Sequence, residues 1–496
     1  MAAARLPSIG ATDLASLLGD RLELLQSADR TGDHRHRTVH TLVSWSENLL
    51  ADAERELLSA LTVFAGAVSL GDIASVVGSD PAELAVGALA GLVDKSLVVA
   101  DADVSPTRYR LLETVRATAA PRRSASVESR HAHHIASVVT AANAGLRTAD
   151  ERSVAQRVDG LVAEIRVAHQ WARRHDVDLA AELTAALIYY AHERQWTEPA
   201  SWARALLDEH GEDAAITLSA SASIAADASN RGDYELAAKH AARAATSEDG
   251  RLIYSAHDTM TNLGLYTGDL DATRRHAAEL VALGDPSARV AGLLSLVLAF
   301  VYSGQLAEAD DALDLLEREQ PLAPTNEAWV AYGFGEVFAA TGRTDDAIEQ
   351  FDRVVRLGTS VGSSLVVSVA QVSSLAVRAR TGDIGEAMAA FVPVLTQYRR
   401  SRSFTHAATG LRNLIELLVR AAHYEPAMVL LGGLSSPDVK ATYGIESEYL
   451  DKARETATRH IGPTAVSSLI QQGSCHSVTW AIDHAIDVLT EIGAPS

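Results

Sequence analysis

The chain has 496 residues, 47% of them apolar but only 5% aromatic, and a formal charge of −21. That acidity argues against a general nucleic-acid-binding surface, which needs a basic footprint, and the single cysteine, Cys475, excludes an internal disulfide. Alanine-rich, aromatic-poor sequence suits tightly stacked helices and suits a β-sandwich badly.

Residues 1–37 read as short helical fragments ending in the polar stretch Asp29–Arg37. The opening Met1-Ala2-Ala3-Ala4-Arg5-Leu6-Pro7 lacks the apolar run of a secretory leader. With one cysteine, a reducing cytoplasm is the expected location. Residues 38–120 follow a different grammar. Helical patterns cover Val39–Leu50, Ala53–Phe64 and Leu70–Val77, then Pro81–Leu92 with proline at its first position. The period then changes, and Ser96–Ala100 and Arg108–Leu112 read as two strands joined by Asp101–Pro106. Helices followed by a hairpin wing describe a winged helix-turn-helix. Arg108, Arg110, Arg116, Arg122 and Arg123 lie near the wing and are the candidate DNA contacts. Against them, residues 1–120 hold ten Lys or Arg but sixteen Asp or Glu, and Pro81–Leu92 carries Glu83 and no basic residue. Phosphate contacts supply most of the affinity for DNA, so a packing and relay role is favoured over direct DNA binding.

Beyond Ser124 the pattern is helical throughout, and residues 125–434 contain a recurring corner. It consists of a glycine with polar neighbours, then a small residue five positions on: Gly232/Ala237, Gly268/Thr273, Gly304/Ala309, Gly342/Ala347, Gly382/Ala387 and Ala422/Ala427. Successive corners lie 36, 36, 38, 40 and 40 residues apart, with a degenerate seventh copy upstream at Arg194-Gln195-Trp196. A repeat of this length signals a helix–turn–helix solenoid. Glycine just past a helix end adopts positive φ without a Cβ clash, and the small residue lets the next helix approach closely. Tyr234, Leu270, Leu306, Ile384 and Tyr424 plug the corners, with Thr344 the exception. The array resembles the tetratricopeptide repeat, whose period is about 34. Residues 435–496 depart from the pattern and are expected to cap it. The uncharged stretch Leu357–Val377 runs for 21 residues but holds six serines, so it reads as a buried repeat helix and not as a membrane span. The expected fold class is therefore mainly α: a winged helix followed by a tetratricopeptide-like solenoid.

Stacked helix pairs offer a concave surface lined by the first helix of each pair. Counting back from each corner names Asn230, Asp258, Asn262, Tyr266, Tyr302, Tyr332, Glu336, Arg380, Arg412, Glu416 and Arg420 as a candidate groove for a protein or peptide partner. Asparagine clamps a ligand backbone, tyrosine buries area at low entropy cost, and arginine holds carboxylates. Eighteen histidines invite a search for metal sites. His131, His133 and His134 cluster, but without a cysteine or a His-Glu-x-x-His spacing they read as a solvated helix face. No nucleophile–base pair has a local signature, so neither a catalytic site, a cofactor nor a metal is expected.

Thr41–Leu50, Leu61–Gly66, Gly91–Val98 and Tyr109–Arg116 together resemble the winged-helix region of bacterial STAND-class "predicted ATPase" regulators. Those are mainly actinobacterial proteins that join a LuxR-type, SARP-type or adenylate-cyclase module to a nucleotide-binding domain and helical repeats. The resemblance spans essentially the whole chain and implies the C-terminal half of such a regulator, with residues 1–37 the tail of the nucleotide-binding module. Two departures matter. No Gly-x-x-x-x-Gly-Lys-Ser/Thr occurs, and Lys95-Ser96 is preceded by Asp94 where glycine belongs, so no backbone cradle for phosphate is present. The resemblance also implies a nucleotide-sensing histidine after the wing; Leu112 stands there, and leucine donates no hydrogen bond. Leu111 and Leu112 therefore read as packing residues. A separate ATPase chain is an expected partner, alongside a protein or peptide, with no membrane association.

Overall fold

The computed structural model describes residues 49–120, 124–211, 214–319, 322–401, 404–434 and 446–493. The expected linker 1–37, nearly all of the helix at 39–50, and Arg122 and Arg123 lie outside the described residues. The chain divides into two compact units, one built from residues up to Val139 with Arg157–Ala180, the other from Thr140–Gln156 with Ala181 onward.

In the first unit, helices α1 (Asp52–Leu61), α2 (Leu70–Val77), α3 (Pro81–Val86), α4 (Ala88–Asp94) and α5 (Glu113–Ala119) pack with strands β1 (Val68–Ser69), β2 (Val98–Asp101) and β3 (Arg108–Leu111). The strands form an antiparallel sheet in the order β1-β3-β2. The expected hairpin is there, and it gains a third, two-residue strand because Val68 and Ser69 pair with Tyr109 and Arg108. Leu58, Ile73, Leu89, Leu92, Leu97 and Val115 form the buried centre. The helix expected at Pro81–Leu92 is two helices. Gly87 sits between them at φ −105° and ψ −120°, where an added Cβ would meet the Glu83 carbonyl at 2.7 Å. Leu111 is buried as expected, whereas Leu112 is 37% exposed. Leu112 leaves the sheet as the residue before α5, which turns its side chain out of the core.

Four helices follow: α6 (Ala125–Gly145), α7 (Glu151–Asp159), α8 (Val162–His175) and α9 (Val177–Arg194), the last entering the second unit, where α10 (Glu198–His210) comes next. Six helix pairs then repeat: α11 (Ala214–Arg231) with α12 (Tyr234–Ala244), α13 (Gly250–Thr267) with α14 (Leu270–Ala282), and α15 (Pro286–Tyr302) with α16 (Leu306–Glu317). The array continues with α17 (Pro324–Ala340) and α18 (Thr344–Val361), α19 (Ser364–Thr381) and α20 (Ile384–Ser401), and α21 (Phe404–Arg420) and α22 (Tyr424–Gly433). Helices α23 (Glu446–Ile461), α24 (Pro463–Ser474) and α25 (Val478–Gly493) end the chain, sharing an apolar core with α21 and α22 through Leu430, Ala457 and Ile482.

Each corner is built as its sequence dictates. Gly232, Gly268, Gly304 and Gly342 have φ between 74° and 83°, and the second helix starts two residues later. Asp233, Asp269 and Asp383 cap those second helices by accepting from Leu236, Ala272 and Glu386 backbone N–H groups. The small residue five positions on is 0–1% exposed in all six copies. The two corners that lack glycine still take positive φ, 63° at Ala422 and 53° at Gln195. Gly382 is the exception, with extended backbone at φ −80° and ψ −179°. There Arg420 donates from Nη1 to the Ala379 carbonyl at 2.8 Å and from Nη2 to the Gly382 carbonyl, satisfying the helix end in another way. The stretch Leu357–Val377 is not one helix. Gly362, at φ 74°, separates the end of α18 from α19, and no single helix among the described residues is long and apolar enough to cross a membrane.

Candidate functional site

The first helices of the pairs carry all eleven positions named from the corner spacing. Tyr302 and Glu336 meet at 3.5 Å, and the Tyr332 hydroxyl lies 3.2 Å from Ser373 Oγ. Burial pushes the Glu336 carboxyl above its ordinary range. Tyr266 stacks on Tyr234 at 5.8 Å and meets the His406 ring edge-on at 6.4 Å. Arg380 pairs with Glu416 at 2.9 Å, reaches Asn413 at 3.3 Å and lies 4.3 Å from the Tyr449 ring centroid. Three positions are not presented to a partner. Tyr332 and Arg412 are each only 4% exposed, because neighbouring helices close over them, and Arg420 is spent on the end of α19.

The inner face is also crossed by contacts between helices far apart in sequence. Glu151, at the start of α7, accepts from Thr325 N at 2.8 Å and from its hydroxyl, at the N-terminus of α17. Glu193 on α9 accepts from the Ser363 hydroxyl, just before α19, and from Trp329 Nε1 at 3.5 Å. Arg194 donates to the Val361 carbonyl at 2.7 Å. Burial outweighs these hydrogen bonds and raises both carboxyls, Glu193 to about 7 with Glu151 and Asp258 adding like charge.

Beside this clasp, α9, α11 and α13 line a recess in two adjoining lobes whose walls share Ile188, His192 and Ala226. One lobe holds Trp196, Asp227 and Asn230. Asp227 is already paired there, with Arg204 at 2.7 Å and Arg231 at 3.0 Å. The other lobe holds Asn143, Arg147, Tyr189, Tyr254 and Asp258. Burial pushes Asp258 up to about 6, with Arg147 opposing, and pushes His192 down to about 4. Of these residues the corner spacing named Asn230 and Asp258. It also had the means to find Tyr189 and Glu193, which stand six and two residues before Gln195, the offsets of Asn262 and Tyr266 from Gly268.

In the first unit the histidines are not a solvated face. His131 is 1% exposed, with Nε2 2.9 Å from Glu164, and its ring edge meets Phe64 at 5.3 Å. Glu164 also accepts from Gly66 N at 2.6 Å. His134 lies 3.0 Å from Asp72, which also takes Arg157 at 2.9 Å and the Ser69 hydroxyl at 2.6 Å. Only His133 is largely exposed. The partners lie 33 and 62 residues away in the chain, out of reach of local pattern. Near the wing, Arg110 is exposed and Arg108 half-buried. Arg116 donates to the Ala65 carbonyl at 3.0 Å and lies 3.4 Å from Glu113, so it fastens α5. Lys95 pairs with Glu54, and Arg130 donates to the Val76 carbonyl at 2.6 Å.

"Putative HTH-type transcriptional regulator Rv0890c" of Mycobacterium tuberculosis is 33% identical over 219 residues, 42% of this chain and 24% of that protein. "Uncharacterized protein Rv0894" of the same organism is 34% identical over 159 residues, 30% of this chain and 40% of that protein. The chain thus spans about a quarter of the length of the first of these relatives and two-fifths of the second. Among solved structures, the signal transduction ATPase with numerous domains (STAND) protein with a tetratricopeptide repeat sensor, PH0952, from Pyrococcus horikoshii aligns over 99% of this chain and 73% of that one, at 14% identity and a TM-score of 0.47. Residues 50–122 match the family described as the winged helix-turn-helix domain, the region that holds α1–α5 and the three-stranded sheet.

Proposed function

We propose that the chain is a non-enzymatic regulator in which the solenoid is the recognition arm and the winged helix a packing and relay module. The observation that carries this reading is where polar groups of a kind that bind a partner collect. On the inner face of α9, α11 and α13, asparagines, tyrosines and carboxylates surround a recess, whereas the basic residues around the wing are largely spent on the unit's own backbone and carboxylates. The similarity to relatives named as transcriptional regulators supports a regulatory role. Its partner is a protein or peptide segment clamped by Asn230 and Asn262, and a nucleotide-hydrolysing domain on a separate chain is a second candidate partner.

Affinity capture by the full chain, set against an Asn230→Ala/Asn262→Ala variant of equal melting temperature, tests the reading. A partner held by the unaltered chain and released by the variant is expected; identical capture by both overturns it. The alternative is a DNA-binding regulator, favoured by one observation, the exposed Arg110 on β3. Fluorescence anisotropy with genomic fragments separates the two: binding that weakens steeply with salt and is lost in Arg110→Ala belongs to the alternative.

A further inference from the structure

One lobe of the recess holds a cation and an anion that do not meet. Arg147, just after α6, has a side chain 14% exposed, with its guanidinium carbon 4.4 Å from the Tyr254 ring centroid and 5.0 Å from that of Tyr189. Asp285 pairs with Arg147 only loosely, at 3.7 Å from Nη1, and Arg147 Nε is buried without a hydrogen-bond partner among the described residues. Asp258 faces the same lobe, its side chain 21% exposed. Its side-chain contacts are weak: Asn262 at 3.5 Å and His192 at 3.9 Å. Burial keeps His192 neutral near pH 7, so no cation compensates Asp258 at contact. Tyr189, 6% exposed, lines the lobe with a hydroxyl that has no partner among the described residues.

Opposite charges in a low-dielectric enclosure attract over several ångströms, and side chains free to do so would close into a salt bridge. Two aromatic faces hold Arg147 back by cation–π attraction, and α13 fixes Asp258, so the gap is built into the fold. A carboxylate alone would leave Asp258 uncompensated and bring a second negative charge beside it. An ammonium alone would create the same mismatch at Arg147. A molecule carrying both charges satisfies both.

The geometry points to a small zwitterion as the occupant: an α-amino acid with its ammonium on Asp258 and its carboxylate on Arg147. The Tyr189 hydroxyl supplies a further hydrogen bond, and the apolar wall of Ile188 and Ala226 suits a short aliphatic side chain. The assignment rests on the solenoid being the recognition arm and adds the class of ligand.

Isothermal titration calorimetry of the full chain at neutral pH with glycine, L-alanine, L-valine, L-leucine and the remaining standard amino acids tests it. One saturable heat from a short aliphatic member is expected. N-acetylation of that amino acid, which removes the ammonium, and amidation, which removes the carboxylate, each weaken binding by about tenfold or more, with the protein untouched. Asp258→Asn and Arg147→Gln, checked for folding by circular dichroism, give the same loss. No heat from any amino acid, or equal affinity for the acetylated and amidated forms, overturns the assignment. Loss of a captured partner in the asparagine variant with no amino acid bound sinks the ligand class alone; blank results in both experiments sink the recognition arm as well.

Discussion

Two carboxylates at similar depth, Asp72 in the first unit and Glu193 in the second, end on opposite sides of their ordinary range. Asp72 is 1% exposed and Glu193 5%. Burial pushes Asp72 upward too, but hydrogen bonds from His134 and Ser69 and the Arg157 charge outweigh it and hold the carboxyl well below its usual range. Glu193 has hydroxyl and indole donors in place of a charged partner, with Glu151 and Asp258 as like-charged neighbours, and it rises to about 7. The difference teaches that depth alone assigns no role. A buried acid given enough hydrogen bonds and one arginine stays ionised and holds a core together, while one ringed by neutral donors and other acids keeps its proton near neutral pH.

The largest effect should come from breaking the first of these arrangements. Asp72→Ala removes the hydrogen-bond partner of His134, the ion-pair partner of Arg157 and also the carboxylate that closes the capping box at the start of α2. With Arg157 41% exposed, the loss is that of charge-assisted hydrogen bonds and a helix cap, together about 3–4 kcal/mol. Hydrogen exchange read by mass spectrometry should show that loss across residues 50–120, with amides of α13–α19 unchanged. A loss below about 1 kcal/mol would show that the four contacts do not act as a network.

A second effect, smaller and opposite in its pH dependence, belongs to Glu193. Its folded value of about 7 lies above its ordinary 4.5. The stabilisation therefore stands in full below pH 4.5 and is lost as pH rises through 7, because the unfolded chain releases the proton first. Asp72, shifted down, contributes stability above its ordinary 3.8 that is lost only as pH falls below it. Between pH 5 and 8 this ionisation by itself costs the second unit up to about 3 kcal/mol, while His192 and His406, held near 4 by burial, act in the opposite direction there, as His169 does in the first unit. Glu151, also raised, acts in the same direction. Glu193→Gln keeps an acceptor for Ser363 and abolishes the ionisation, so the stability of its second unit relative to the unaltered chain should rise from pH 5 to 8, by up to about 3 kcal/mol. Equal slopes in the two chains would mean that the clasp does not titrate there.

The sequence carried the array because its code is local. Gly268 to Leu270 spells out helix end, cap and new helix within three residues, and Thr273 adds the close contact one turn later. The wing was legible for the same reason, in the change of period between Leu92 and Ser96. What escaped depends on residues that the chain brings together from afar. Nothing beside His131 announces Glu164, and nothing beside Glu193 announces Ser363, 170 positions on. Arg420 was legible as a groove position but not as the cap of α19, since that role follows from the unusual backbone at Gly382. Tyr189 stood between the two cases: its offset from Gln195 was available, but the corner there has no glycine to mark it.

The corners allow a final, smaller test whose sign reverses between two positions of the same motif. Gly268 has φ 76° with no atom within 4 Å of where a Cβ would stand, so only backbone conformation opposes a side chain there. Gly268→Val should destabilise the second unit by roughly 1–2 kcal/mol, since β-branching and positive φ conflict. Ala422 occupies the equivalent place at φ 63° and already bears that strain. Ala422→Gly should therefore stabilise the same unit by up to about 1 kcal/mol, partly offset by the greater freedom of glycine in the unfolded chain. Chemical denaturation of the two variants together isolates the backbone term, because both sites are solvent-facing turns and no packing changes. Shifts of the same sign would show that Ala422 and Gly268 do not serve one motif, and the repeat would then end at α20.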